Sequence, residues 1–402
     1  MTDALRSGGA ASFRHGIHAE DRKEATASRP TERLPFVPEY VLPLSQHTGA
    51  PCRPLVSPGE QVQRGQMIAE PDGYISMALH APVTGKVTAI EARPHPRGIL
   101  SPAIVLKTDP FSSQLLEPVE PPDESSLTSK QIVERVQQAG LVGLGGAAFP
   151  SHVKLDIPEG KKARFTIING CECEPYLTCD HRLMAERPGP VVRGLKIIMR
   201  QVGAERGYIG VEVNKPDAIK ALQAALADDD DIKVIPLVVK YPQGAEKMLI
   251  DAIFHREVHS GQLPIDLEIV VNNVGTAVSM ADLFEKGQPM IERVVTVAGT
   301  AVRRPANLVV PIGTPVRDVL AFCDGLRPEP RQVILGGPMM GMSQKRLDVP
   351  VLKGISGVLA FNRPVPVVAE DPCIRCGRCL AACPMYLNPS RLAQLARHER
   401  TD

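Results

Sequence analysis

Between residues 128 and 290 the spacing of apolar positions switches repeatedly between two periods. Ile132, Val133 and Val136 recur at helical spacing after Thr128, and Gly140 ends that helix. Residues 164–169 form a short apolar run of the buried-strand type. The stretch 191–202 is helical again, 208–213 reads as a strand, and 216–226 as a helix with proline near its start. Two more strands follow at 231–240 and 268–272. This alternation predicts an α/β unit with a mostly parallel sheet and helices on both faces. The acidic run Asp228–Asp231 falls in a helix-to-strand connection and reads as a solvated turn.

Flanking segments have a different texture. Residues 35–110 are short β runs punctuated by proline and glycine. They resemble the β sandwich of biotinyl and lipoyl domains. The turn at Pro71–Gly73, where those domains present a modified lysine, has none, so the sandwich reads as structural. Residues 111–127 are rich in proline, acids and serine and read as a linker. Residues 291–365 return to short strands, with a helix at 316–322, and resemble a small β-grasp ligand-binding domain. Residues 366–402 carry a cysteine run in a helical tail. Residues 1–34 lack a sustained period and read as a flexible extension.

Composition narrows the classes. The chain has 402 residues, 43% hydrophobic, which is ample for several packed cores. A net charge of +1 gives no support for a nucleic-acid surface. No run of about eighteen apolar residues could span a bilayer. The first residues lack the charged start and apolar core of a secretory signal, so the thiols are expected to stay reduced.

Those thiols include Cys373, Cys376, Cys379 and Cys383, followed by Pro384. The spacing is the bacterial ferredoxin run that holds a [4Fe-4S] cluster, and soft thiolates suit such a cluster. Zinc ribbons instead separate two CxxC pairs by a longer spacer. In two-cluster ferredoxins the fourth cysteine serves the other cluster, yet no cysteine follows Cys383 here. The expectation is either one cluster or a chain that ends inside a two-cluster module.

Four further motifs are ambiguous one by one. Gly143, Gly145 and Gly146 would let backbone amides approach a phosphate or a flat ring, with Lys154 nearby in sequence. Asn169, Glu172 and Glu174 close a strand, where ligands of open α/β sheets bind. Cys171, Cys173 and Cys179 make a poor metal pattern. Tyr241 and Glu246 frame a turn, and Asn272, Asn273 and Thr276 follow another strand.

Taken in order, these motifs, the Gly336–Gly341 turn and the cysteine run resemble the C subunit of Rnf-type electron-transport complexes (RnfC or RsxC). The resemblance covers about residues 35–400. The middle domains are also similar to the flavin subunit of respiratory NADH dehydrogenase. This implies a Rossmann-like domain binding non-covalent FMN and NAD(H), an SLBB-like β-grasp domain, and [4Fe-4S] clusters, two in the full family. It implies that Gly143, Gly145 and Gly146 line flavin and dinucleotide, and that Lys154 faces phosphate. Asn169, Glu172 and Glu174 would border the flavin, Tyr241 and Glu246 the nicotinamide side, and Asn272, Asn273 and Thr276 would hold FMN. No side chain need act as acid or base, because hydride transfer is carried by FMN. The resemblance further implies an ion-translocating NAD(H):ferredoxin oxidoreductase. Its partners would be membrane and iron–sulfur subunits and, indirectly, ferredoxin. Its place would be the cytoplasmic face of the bacterial inner membrane, as a peripheral protein. Two rival expectations are a non-catalytic iron–sulfur relay lacking flavin, and a quinone-handling subunit like that of sodium-pumping NADH:quinone reductase.

Overall fold

A computed structural model describes residues 9–117, 121, 126–227, 229–362 and 371–398. The first strand, β1 (Thr31–Arg33), joins a sheet made mostly of residues near 300. The sandwich follows: β2 (Glu39–Pro43), β3 (Arg53–Pro54), β4 (Gln61–Val62), β5 (Met67–Glu70), β6 (Leu79–His80), β7 (Gly85–Pro94) and β8 (Leu100–Thr108). These form a four-stranded sheet, β2-β8-β7-β4, and a three-stranded one, β3-β5-β6. Tyr40, Leu42, Ile68, Ile104 and Leu106 fill the space between them.

Helix α1 (Ser129–Gln138) begins in a capping box. The Thr128 side chain accepts from the Gln131 amide, and Gln131 reaches back to the Thr128 amide. After the short α2 (Ser151–Leu155), the chain builds β9 (Phe165–Gly170), α3 (Cys179–Glu186), α4 (Pro188–Val202), β10 (Arg206–Glu212), α5 (Pro216–Leu226), β11 (Ile232–Leu237), α6 (Glu246–Phe254), β12 (Ile269–Asn273) and α7 (Val274–Lys286). All pairings in the sheet β11-β10-β9-β12 are parallel. Alternate side chains choose opposite faces, as the strand period requires. Ile168 and Val270 pack with α4, α5 and α7, whereas Ile167 and Val271 pack with α6. Gly194 lets α4 lie directly on α7: a Cβ there would come within 1.9 Å of the Ala277 carbonyl oxygen.

The last large sheet has six strands in the order β1-β14-β13-β17-β15-β16. Its members after β1 are β13 (Glu292–Ala298), β14 (Ala306–Pro311), β15 (Gln332–Leu335), β16 (Met342–Gln344) and β17 (Gly357–Phe361), and α8 (Val316–Phe322) packs on it. Two short helices, α9 (Arg378–Ala382) and α10 (Pro389–Arg397), carry and follow the cysteine run.

The expectation of a flexible extension over residues 1–34 is corrected for residues 9–34, which run through the molecule. Ala11, Phe13, Lys23, Thr26 and Leu34 are buried. Strand β1 pairs in parallel with β14, Thr31 opposite Asn307. The segment buries isolated residues against distant partners and repeats nothing, so no period announces it.

Candidate functional site

The parallel sheet starts at β9, adds β10 and β11 on one side, and β12 on the other. The chain therefore diverges between β9 and β12, and a crevice at such a switch point is where open α/β sheets bind ligands. Asn169 and Asn273 stand in register across that gap. Asn169 secures the wall: its Nδ2 donates to the Gly244 carbonyl at 2.7 Å, and its Oδ1 accepts from the Cys171 amide at 3.2 Å. The loop containing Tyr241, with a cis Tyr241–Pro242 peptide, is thereby held against the end of β9.

The glycine-rich loop forms the facing wall. The Gly143 amide donates to the Phe149 carbonyl at 2.7 Å and closes the loop. Thr276 anchors it to the first turn of α7, its hydroxyl accepting from the Leu144 amide at 3.0 Å and donating to the Val142 carbonyl at 3.3 Å. Asn273 caps α7 through the Gly275 amide at 2.7 Å and donates to Asp180 at 2.7 Å. Gly146 sits at φ +107°, and a Cβ there would meet nothing within 4 Å. The exposed turn of Gly145 and Gly146 thus faces open space with its amides bare of side chain.

Lys154, from α2, closes the floor. Its ammonium donates to Glu246 Oε1 at 2.7 Å and to the Val271 carbonyl at 3.1 Å. Asn272 is 5% exposed, and its Nδ2 has no hydrogen-bond partner. A buried amide donor left open is costly and asks for an acceptor. An open glycine turn, an ammonium and an orphaned amide fit a flat, phosphate-bearing group such as FMN.

The two acids after β9 are otherwise engaged. Glu172 accepts from the Asp180 and His181 amides at 2.8 and 3.1 Å, where the start of α3 favours a negative charge. Glu174 accepts from the Met339 and Met340 amides at 2.8 and 2.9 Å, tying the α/β domain to the Gly336–Gly341 turn. The structure therefore brings Gly143, Gly145, Gly146, Lys154, Asn169, Glu246, Asn272, Asn273 and Thr276 around the crevice. It commits the carboxylates of Glu172 and Glu174 to backbone amides. Sequence reasoning missed Lys23, a buried lysine whose ammonium donates to the carbonyls of Glu172 and Glu174, both at 2.9 Å. Its signal was hidden in the segment read as an extension.

Asp180 lies beneath the crevice. Burial raises its pKa to about 7, with the Glu172 charge adding to the rise and the Asn273 amide opposing it. Burial likewise pushes the Cys171 and Cys179 thiols up, so both stay protonated. Glu172, Cys179 and Asp180 place ligand atoms within 4.8 Å of one another. Each Glu172 oxygen already accepts one α3 amide. A cavity of about 420 Å³ between α7 and the six-stranded sheet reaches Leu144 and Asp180. Of its cations, Arg33 pairs with Glu292, Arg187 and Lys286 pair with Asp282, and Arg293 donates to the Val294 and Lys353 carbonyls.

In the cysteine run, Cys373, Cys376 and Cys379 are exposed and Cys383 is half-buried; all four are free thiols. Gly377, at φ +75°, turns the chain into α9, and the Cys383 amide donates to the Cys379 carbonyl at 3.1 Å. Four thiols on one short loop and helix are a donor set suited to an iron–sulfur cluster.

A β sandwich, a switch-point α/β domain, a β-grasp sheet and a ferredoxin-type run define an electron-carrying redox subunit. Family models agree along the chain: an RnfC barrel sandwich hybrid domain matches residues 11–110, and a Nuo51 FMN-binding domain matches 136–282. An SLBB domain matches 294–343, and a 4Fe-4S binding domain 365–388. The C subunit of a proton-translocating ferredoxin:NAD(+) oxidoreductase complex from Clostridium ljungdahlii is 44% identical over 96% of this chain and 85% of its own length. The Na(+)-translocating counterpart of Acetobacterium woodii is 44% identical over 97% of this chain and 88% of its own. In Rhodobacter capsulatus the C subunit of an ion-translocating oxidoreductase complex is 41% identical over 95% of this chain and 74% of its own. The chain belongs to the RnfC family, the C subunits of ion-translocating oxidoreductase complexes. An NAD+-reducing [NiFe]-hydrogenase in its air-oxidized state shares the fold, with a TM-score of 0.51 at 23% identity over 60% of this chain and 48% of that one. No helix among the described residues is long and apolar enough to cross a membrane.

Proposed function

We propose that this chain is the NAD(H)-oxidising or NAD(+)-reducing subunit of an ion-translocating ferredoxin:NAD(+) oxidoreductase complex. The observation that carries this reading is the crevice itself: a bare glycine turn, the Lys154 ammonium and the unpaired Asn272 amide at the β9/β12 switch point, followed in the chain by the cysteine run.

FMN, when bound, exchanges a hydride with NAD(H) and electrons singly with an iron–sulfur cluster. The residues of this chain do the holding. Gly145 and Gly146 admit the ligand against the backbone, Lys154 offsets phosphate charge, and Asn272 donates to an acceptor on the bound group. Thr276 and Asn273 keep the glycine loop and α7 in register. Tyr241 and Glu246 border the nicotinamide side. Cys373, Cys376 and Cys379 would share one cluster, with Cys383 completing it or serving a second. No side chain is required to move a proton in the hydride step. Membrane attachment comes through partner subunits at the cytoplasmic face, and ferredoxin exchanges electrons through those subunits.

The non-catalytic relay reading draws on one observation, the capture of the Glu172 and Glu174 carboxylates by backbone amides. One experiment separates the two. The protein is purified anaerobically, its FMN, iron and sulfide are quantified, and its visible spectrum is followed on adding NADH. Bound FMN that bleaches supports the enzyme; iron and sulfide without FMN or bleaching would leave only the relay.

A further inference from the structure

The N-terminal segment touches both halves of the expected electron route. Ala11 pairs with the edge of β11, its amide donating to the Pro236 carbonyl at 2.8 Å and its carbonyl accepting from the Val238 amide at 2.9 Å. The segment then turns around Lys240. That ammonium lies 3.7 Å from the centre of the Phe13 ring and donates to the carbonyls of Phe13 and His15. Next, Ile17 and Tyr241 exchange both backbone hydrogen bonds, each 2.8 Å long. Tyr241 belongs to the loop that Asn169 holds against the flavin-side crevice.

Immediately before Ile17 the same strap meets the cysteine helix. The Gly16 amide donates to the Ala382 carbonyl at 3.0 Å, and His15 Nδ1 donates to the Ala381 carbonyl at 2.6 Å. The His15 ring also stands edge-on to Tyr386, with centroids 5.1 Å apart. Ala381 and Ala382 end α9, between Cys379 and Cys383, where helix carbonyls have no partner within the helix. Neither α9 nor α10 buries a residue, so apolar packing does little to hold the run in place. Gly16 fits its position because φ is +91° and a Cβ would press on the Phe13 ring and the Tyr241 carbonyl, both at 3.0 Å.

We propose that His15, Gly16 and Ile17 are a positioning bridge that sets the separation between the flavin-side loop and the cluster-bearing helix. They touch neither the crevice nor a thiol; they act by joining the Tyr241 backbone to that of Ala381 and Ala382. The inference rests on the reading of the crevice as a flavin site, and its test is separable from that reading.

The test uses the full chain with its cofactors, in the parent and in His15→Ala and His15→Asn. Flavin reduction by NADH is followed by stopped-flow absorbance, and cluster reduction by freeze-quench electron paramagnetic resonance. In His15→Ala, flavin reduction keeps its parent rate. Cluster reduction slows severalfold, because electron transfer between two held groups falls off with their separation. His15→Asn, which restores a donor towards Ala381, recovers most of the loss. A His15→Ala protein that reduces the cluster at the parent rate would overturn the bridge, as would an equal slowing of both steps. A parent protein whose flavin never bleaches would instead overturn the functional reading.

Discussion

The Lys154 ammonium and the Glu246 carboxylate meet at 2.7 Å across the floor of the crevice, with 34% and 37% of their side chains exposed. A pair this open contributes only about 0–1 kcal/mol to stability. Its position matters more than its strength, because Glu246 holds in place the cation that would face a phosphate. Lys154→Met should weaken FMN binding by roughly 10- to 100-fold, the range for a charged hydrogen bond, while thermal stability barely moves. Glu246→Gln should leave the Lys154 charge uncompensated and tighten FMN. Titration of the apoprotein by flavin fluorescence quenching checks both; equal affinities in all three proteins would remove Lys154 from the phosphate role.

Asn272 provides a contrast between stability and binding. Its amide is buried without a partner, so the empty protein carries that cost. Asn272→Ala should leave the flavin-free protein as stable as the parent or more so, and should lower FMN affinity about five- to tenfold through the lost donor. Parallel melts with and without FMN read both effects. A variant destabilised without ligand and unchanged in affinity would show that Asn272 serves the fold.

Asp180 makes stability depend on pH. Its carboxyl titrates at about 7 in the fold, chiefly through burial, against about 3.9 in an unfolded chain. Between these values the folded state holds the extra proton, so stability falls as pH rises from about 4 to 7 and the penalty is complete above 7. Asp180→Asn keeps an acceptor for Asn273 and cannot ionise. Its melting temperature should match the parent near pH 4 and exceed it increasingly towards pH 7. A constant difference across that window would place the pH dependence elsewhere.

The cysteine run should be separable from the flavin. Cys379→Ser should lower iron and sulfide content and abolish the reduced-cluster resonance signal, yet leave NADH bleaching of FMN in place, since Cys379 is exposed on α9, outside the elements that form the crevice. Loss of FMN together with the iron would show that the two sites fold as one.

Much of the α/β core was legible because its strands carry short apolar runs, such as Ile167–Ile168 and Ile269–Val271, and its helices carry end signals. Helix α5 spans Pro216–Leu226 in the structure, with proline in its first turn as its sequence predicts. The crevice was legible only as a set of motifs. Asn169, Asn272 and Thr276 lie far apart in sequence, and the parallel register that brings their strands together is a tertiary fact. Buried lysines were not legible. Lys23, Lys215 and Lys353 are fully or nearly buried, against the usual preference of lysine for solvent. Each does what a hydrophobic pattern cannot report: Lys353, for example, donates to the Ala78 and Gly140 carbonyls and so ties the sandwich to the root of the glycine loop. Glu174 is hidden for the same reason, since its acceptor role depends on amides 165 and 166 positions later.

The threaded N-terminal segment also bears on the order in which the molecule can be completed. Residues 11–34 are synthesised long before their distant partners: Ala11 needs Pro236, Thr31 needs Asn307, and His15 needs a carbonyl 366 positions downstream. Pairings of such separation close late, after local elements have formed. The bonds of the strap to Ala381 and Ala382 can form only on a chain whose cysteine helix has already been made.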